Sequence, residues 1–256
     1  MDDLALRPSM AGGHFQAHID AALGIPDFVA EYVYWVDVPI HNHQTNRRTL
    51  QRHPMLLIHE RVAAAFAHDA TQFLPPEGER DALLGVPRFA SCALLRALGW
   101  NRLALLGFYI DAAPWSKRDS FYAFYWYGIF STQRHLITVI RKHDLCKCGC
   151  GGRCSLQAIL AVIAWSFGCL RGKLYPRRRH DGSDLDDYRR ANRQGELPIR
   201  GLLKEFRADW QEHAQGLGFS TWSSAQSPCF ACDCTADNMH QYADDEDMQP
   251  YRTRTE

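Results

Sequence analysis

The stretch LALLGFYIDAAPWSKRDSFYAFYWYGIFSTQRHLITVI, residues 103–140, decides the fold. Its three apolar runs, residues 103–110, 121–130 and 135–140, are short, carry β-branched and aromatic side chains, and are bounded by polar turn residues, which predicts three successive strands. The middle run is so dense in aromatics that both of its faces should be covered. The first strand ends at Asp111 and the polar turn AAPWSKRD follows it.

Behind the third strand comes RKHDLCKCGCGGRCSLQ, which puts Cys146, Cys148, Cys150 and Cys154 within nine residues. A helix over residues 155–171 is expected next, N-capped by Ser155 and stopped at Gly172. YPRRRHDG is a basic turn. SDLDDYRRANRQG, residues 183–195, reads as a polar helix with Ser183 and Asp186 at capping-box spacing and Gly195 as its stop. GLLKEFRAD alternates as a fourth strand ending at Asp209, and WQEHAQGLG as a short helix. The fold class is therefore α/β (α+β), a mixed sheet flanked by helices with a cysteine-rich element inserted.

Upstream, residues 1–100 form a mainly helical or irregular region, with helices in ERVAAAFAHDA and ALLRALGW and a turn at FLPPEGERD. Residues 101–234 are the core, and residues 235–256 an acidic flexible tail.

The longest nearly apolar run, LQAILAVIAWSFGCL, has 15 residues, short of the roughly 20 that cross a bilayer, and reads as a buried helix rather than a membrane anchor. MDDLALRPSMAGGHF lacks the basic start and apolar core of a secretory signal, so an intracellular protein is expected, nuclear if the host is eukaryotic. Nine cysteines in such a compartment point to metal rather than disulfides. Net charge is zero, yet residues 171–207 carry 11 Lys/Arg against 6 Asp/Glu, while residues 233–247 hold six acids and no Lys or Arg. The basic surface, with Arg177, Arg178 and Arg179 at its centre and Lys173 as a further contact, suits a phosphate backbone, so DNA is the expected partner.

Carboxylates at the ends of neighbouring strands can clamp divalent ions for phosphodiester chemistry, which makes Asp111 and Asp209 catalytic candidates with Mg or Mn; turn formation at strand ends is the plainer account. Zinc wants four tetrahedral N or S ligands. Cys146, Cys148, Cys150 and Cys154 either close such a site alone or donate a pair to one completed by Cys229 and Cys232. The second arrangement is preferred, because consecutive Cys-x-Cys pairs would strain one tetrahedral centre. Cys234 is a spare, His180 an extra candidate ligand, and Cys92 and Cys169 belong to the core. The triplet HNH at residues 41–43 reads as a solvated loop, and GCGGRC lacks the ending of a phosphate loop, so no small-molecule cofactor is expected. The aromatic run 121–130 could stack on bases, but a buried strand explains it better. Homo-oligomerisation is left open.

In order, YIDAAPWSKRDSF, RHLITVIRK, LCKCGCGGRCS, WSFGCLRGKLYPRRRHDG, RADWQEHAQGLGFSTW and SPCFACDC resemble the catalytic core of transposon-derived DNA transposases of the CACTA and Kyakuja, Dileera and Zisupton type. The resemblance spans roughly residues 103–234. It implies a ribonuclease H-like fold in which Asp111 and Asp209 are the first two catalytic acids. Ala112 and Ala208 stand where the pattern has glycine. The family's final glutamate has no counterpart in TADNMHQYADDEDMQPYRTRTE, and Glu212 is a substitute of lesser fit. Two functions follow as expectations: a transposase-derived DNA-binding protein with a two-metal site lacking its third acid, or a catalytically inactive, zinc-stabilised DNA-binding or protein-interaction scaffold.

Overall fold

Residues 103–140 form three antiparallel strands in a computed structural model that describes residues 33–116 and 119–208. In chain order the elements are a hairpin of β1 (Val33–Asn42) and β2 (Arg47–Leu56), then helices α1 (Ile58–His68), α2 (Arg80–Leu84), α3 (Pro87–Ala90) and α4 (Ala93–Leu98). Strands β3 (Leu103–Ser116), β4 (Asp119–Gly128) and β5 (His135–Arg141) follow, then the long helix α5 (Arg153–Gly172), the short α6 (Asp187–Asn192) and β6 (Arg200–Ala208).

The main sheet runs β5-β4-β3-β6. β3 pairs antiparallel with β4, and β4 with β5, while β6 returns through α5 and α6 to lie parallel to β3. The fold is thus mixed α+β with a mixed sheet, as the alternation of the sequence predicts.

Alternation also fixes what each face buries. Leu106, Phe108 and Ile110 of β3 join Phe124 and Trp126 of β4 and meet Ile159, Val162, Ile163, Phe167 and Leu170 of α5. Each such side chain contributes about 1.5–3 kcal/mol by leaving water. The alternate residues Leu103 and Leu105 turn to the other face and pack on Phe89, Cys92, Leu95 and Trp100. The hairpin closes the outer side of α5 through Tyr34, Val36 and Val38, so one continuous core includes residues from both sides of position 100. By length and composition α5 is the one helix among the described residues that could cross a bilayer, but its inner face is built into this core.

Several boundaries differ from the sequence reading. β3 does not stop at Asp111 but continues to Ser116, since β4 begins at Asp119 and offers a ladder partner for residues 112–114. Pro114 is accommodated where the register shifts. α5 starts at Arg153 rather than at a Ser155 cap, and Ser155 is buried within its first turn. Ser183 bonds the Asp181 carboxylate, so Asp186 alone caps a shorter α6, accepting from the Arg189 N–H.

Gly107 shows why the sheet needs a residue without a side chain. It pairs with Tyr127, and a Cβ built on it would lie 2.0 Å from the Tyr127 ring, which covers that position. Tyr127 is 6% exposed and cannot swing out without uncovering apolar surface. Gly107→Ala is expected to destabilise the protein by about 1–3 kcal/mol, read as a lower midpoint in urea at unchanged slope.

Candidate functional site

The cysteine loop is anchored before it is folded. The Leu145 backbone bridges to Ile40 of β1, the Cys146 N–H donates to Ser155 Oγ at 2.8 Å, and that hydroxyl donates to the Pro39 carbonyl at 2.5 Å. Between these anchors the chain reverses through three left-handed glycines, Gly149 (φ 90°), Gly151 (φ 60°) and Gly152 (φ 86°). Gly152 precedes the first residue of α5 and is also close-packed, since a Cβ there would lie 2.9 Å from Leu145.

These turns bring Cys146, Cys148, Cys150 and Cys154 together, each sulfur within 4.8 Å of the others, so the four could hold a metal ion. Cys148 and Cys154 are 3.7 Å apart, and Cys150 points its thiol at the Cys146 carbonyl at 3.6 Å. The nine-residue segment therefore gathers its own four sulfurs. Gly149, Gly151 and Gly152 take the left-handed backbone conformations that this reversal demands. Cys229 and Cys232, with which a shared site was expected, lie outside the described residues. His180 does not join the cluster: its Nδ1 is hydrogen-bonded with the Tyr34 hydroxyl at 2.5 Å.

The thiols are electrostatically uneven. The backbone N–H of Cys154, in the first turn of α5, holds the Cys150 thiol down at about 6. Donating its thiol hydrogen to the Cys150 and Cys148 sulfurs pushes Cys154 up to about 12, and burial raises Cys146. One thiolate thus forms readily and its neighbours retain protons that a bound cation would displace.

A second feature is a groove of about 1020 Å³ beside the C-terminal half of α5. Six arginines line it: Arg177, Arg178, Arg179, Arg189, Arg190 and Arg193. They are not equivalent. Arg189 is buried and its guanidinium is held by Glu60 at 2.7 and 3.1 Å and by Asp186 at 2.8 Å. Arg190 pairs with Asp187. Arg179 lies 4.4 Å over the Tyr34 ring and donates to the Trp35 carbonyl. Arg177 and Arg178 are exposed, with Arg178 donating to the Gly182 carbonyl at 3.0 Å. Lys173 bonds Glu196 at 3.0 Å and is not among the lining residues. Trp165 also lines the groove; behind it lies His59, whose Nδ1 meets Ser166 Oγ at 2.8 Å. Burial, then the charges of Arg189 and Arg193, push His59 down to about 3, so it is neutral.

Asp111 is half-buried in the body of β3, opposite Ala123 of β4. In the parallel pair with β6 the last matched residues are Ile110 and Ala208. Asp209 lies outside the described residues. Of the aromatic run, Tyr122, Phe124, Trp126 and Tyr127 are buried, which is the strand reading rather than base stacking. His43, His143 and Asp144 form the other cluster of metal-capable donors among the described residues; of the HNH triplet, expected as a solvated loop, His41 and Asn42 lie in β1 and only His43 in the turn. Their signal was faint: a histidine in a turn, and a His-Asp pair beside cysteines that drew attention to themselves. Comparison of the chain with protein-family models, with curated proteins and with solved structures gave no match in any of the three.

Proposed function

We propose that the chain is a ribonuclease H-like, transposase-derived DNA-binding protein whose sheet carries Asp111 and Asp209 as a pair of metal-binding acids and whose cysteine loop is a structural zinc site. The observation that carries the reading is the β3–β6 register. Ile110 faces Ala208, and these are the residues immediately before Asp111 and Asp209 in the sequence. The strand order supports it too: three antiparallel strands, then a helix, then a fourth strand parallel to the first.

For the zinc assignment, the Cys148–Cys154 distance of 3.7 Å is close to the edge of a sulfur tetrahedron around zinc, about 3.8 Å for Zn–S bonds of about 2.3 Å. The role is structural, since four sulfurs leave no open position. Mg or Mn at the aspartates would lower the pKa of the attacking water and neutralise charge on the leaving oxygen. The protein's own part is to hold the first carboxylate rigidly in a strand bonded on both sides and to hold the DNA backbone with Arg177, Arg178 and Arg179.

The second reading, a zinc-stabilised scaffold without cleavage, draws on Ala112, which follows Asp111 and sits in register with Tyr122. One pair of experiments separates them. Wild type is expected to nick supercoiled plasmid in Mg or Mn, and Asp111→Asn to nick at background; equal nicking by both sinks the catalytic assignment. Arg177→Ala combined with Arg178→Ala should weaken DNA binding and flatten the log–log salt dependence by about two. Steep salt dependence without nicking selects the scaffold, and an unchanged slope in the double variant removes the groove from the interface.

A further inference from the structure

The hairpin turn and the cysteine loop meet at donors that neither the core nor the nucleic-acid reading uses. His43 opens the β1–β2 turn, whose shape is set by the Asn42 side-chain oxygen accepting from the Gln44 and Thr45 N–H groups. His143 and Asp144 lie in the 3-10 turn after β5, just ahead of Cys146. The Ile40–Leu145 bridge pins the two segments to each other.

One donor atom from each of His43, His143 and Asp144 lies within 4.8 Å of the others. His43 Nε2 is 3.5 Å from Asp144 Oδ1, and His143 Nδ1 is 3.4 Å from the same oxygen. Both separations are long for N–H···O bonds, which centre near about 2.9 Å. They match instead the edge of a ligand tetrahedron around an ion bound at about 2.0–2.1 Å, which is about 3.3–3.4 Å. His43 Nε2 also lies 3.0 Å from the His143 carbonyl oxygen, a hydrogen bond that ring coordination through the same nitrogen would replace.

We infer that His43, His143 and Asp144 form a second metal site, for a divalent first-row transition ion such as zinc, cobalt or nickel, in the segment just ahead of the thiol cluster. Two imidazoles and one carboxylate are the donor set such ions accept, and three protein ligands leave a position for water. The two rings now stack at 3.6 Å and 13°, so at least one must turn about its Cβ–Cγ bond to aim at a shared ion. The side chains are 34%, 46% and 33% exposed, which gives that rotation room and makes the ion exchangeable with solvent. Each neutral ring coordinates through a lone pair and keeps its hydrogen on the other nitrogen. The inference stands apart from the nucleic-acid reading, since none of these residues lines the arginine groove.

The test is a Co2+ titration of the full-length protein as purified with zinc, followed by calorimetry and by absorbance. Cobalt on thiolates gives an intense near-ultraviolet charge-transfer band; cobalt on nitrogen and oxygen does not. Wild type should take up one more equivalent than the His43→Ala, His143→Ala double variant, without that band. Asp144→Asn, a substitution of the same size at a partly exposed position, guards against misfolding of the double variant and should weaken this equivalent at least about tenfold. Uptake equal in wild type and double variant, affinity unchanged in Asp144→Asn, or a thiolate band on the extra equivalent would each overturn the inference.

Discussion

Serine at both Cys148 and Cys154 is expected to lower the unfolding free energy by an amount on the order of 5 kcal/mol, and a chelator under reducing conditions should do the same to wild type while leaving the variant unmoved. The reason lies in how little else holds the loop. Between the anchored Cys146 and the start of α5 the chain consists of Lys147, two more cysteines and three glycines in left-handed backbone. It buries almost no apolar surface, and glycine loses the most conformational entropy on ordering. Metal–sulfur bonds are the available compensation. Because Cys154 lies in the first turn of α5, an ion held by these sulfurs would also fix the end of the helix that the sheet and the hairpin share. Urea unfolding with and without chelator measures it; identical midpoints for wild type would mean that the thiols hold no structural ion.

Acidification should destabilise the protein well before the carboxylates titrate. His59 is held down at about 3 and His53 at about 4, in both cases by burial first. Their unfolded values are near 6.5. A depressed histidine is neutral when folded, so its stabilising contribution is whole above pH 6.5 and is lost as pH falls toward the folded value, because the unfolded chain binds the proton that the folded chain refuses. At pH 5 each has cost about 2 kcal/mol relative to high pH, or about 4 kcal/mol together. Protonation of the thiols adds to this. The His53 share is isolated by comparing wild type with His53→Gln, which keeps a partner for the Thr138 hydroxyl, 2.7 Å from His53 Nε2. The gap between their midpoints should shift by about 2 kcal/mol between pH 7 and pH 5; a gap independent of pH contradicts the account.

How far the sequence reveals this molecule depends on which interactions set each element. The three strands and α5 are legible because local alternation and composition match what the core buries: Leu106, Phe108 and Ile110 inward, with a helix of sufficient length to cover them. The end of β3 is not legible, because residues after Asp111 remain extended only through ladder bonds to β4. The hairpin is a correction to the expectation that residues 1–100 are mainly helical or irregular: β1 buries Tyr34, Val36 and Val38, while β2 is largely exposed, with Arg47, Arg48, Gln51 and Arg52 outward, so it carries little apolar signal of its own and owes its form to its partner.

The thiols announce a metal by density, but their grouping depends on backbone angles. Spacing arguments that assume ordinary residues miss what Gly149, Gly151 and Gly152 permit. Ser155 is a related case: a residue suited to capping a helix is used instead to tie Cys146 to Pro39. The donors at His43, His143 and Asp144 come from segments 100 residues apart, and the Ile40–Leu145 bridge is one of the contacts that join those segments.

Cys146, Cys148, Cys150 and Cys154 of one loop are placed so that they could close on one ion. X-ray absorption at the zinc edge, on the Cys229→Ser, Cys232→Ser variant with His43 and His143 also replaced by alanine, addresses this directly. One zinc per chain with four sulfur neighbours at about 2.3 Å is the predicted result. Two or fewer sulfurs, with nitrogen or oxygen completing the shell, or loss of zinc from this variant, would contradict it.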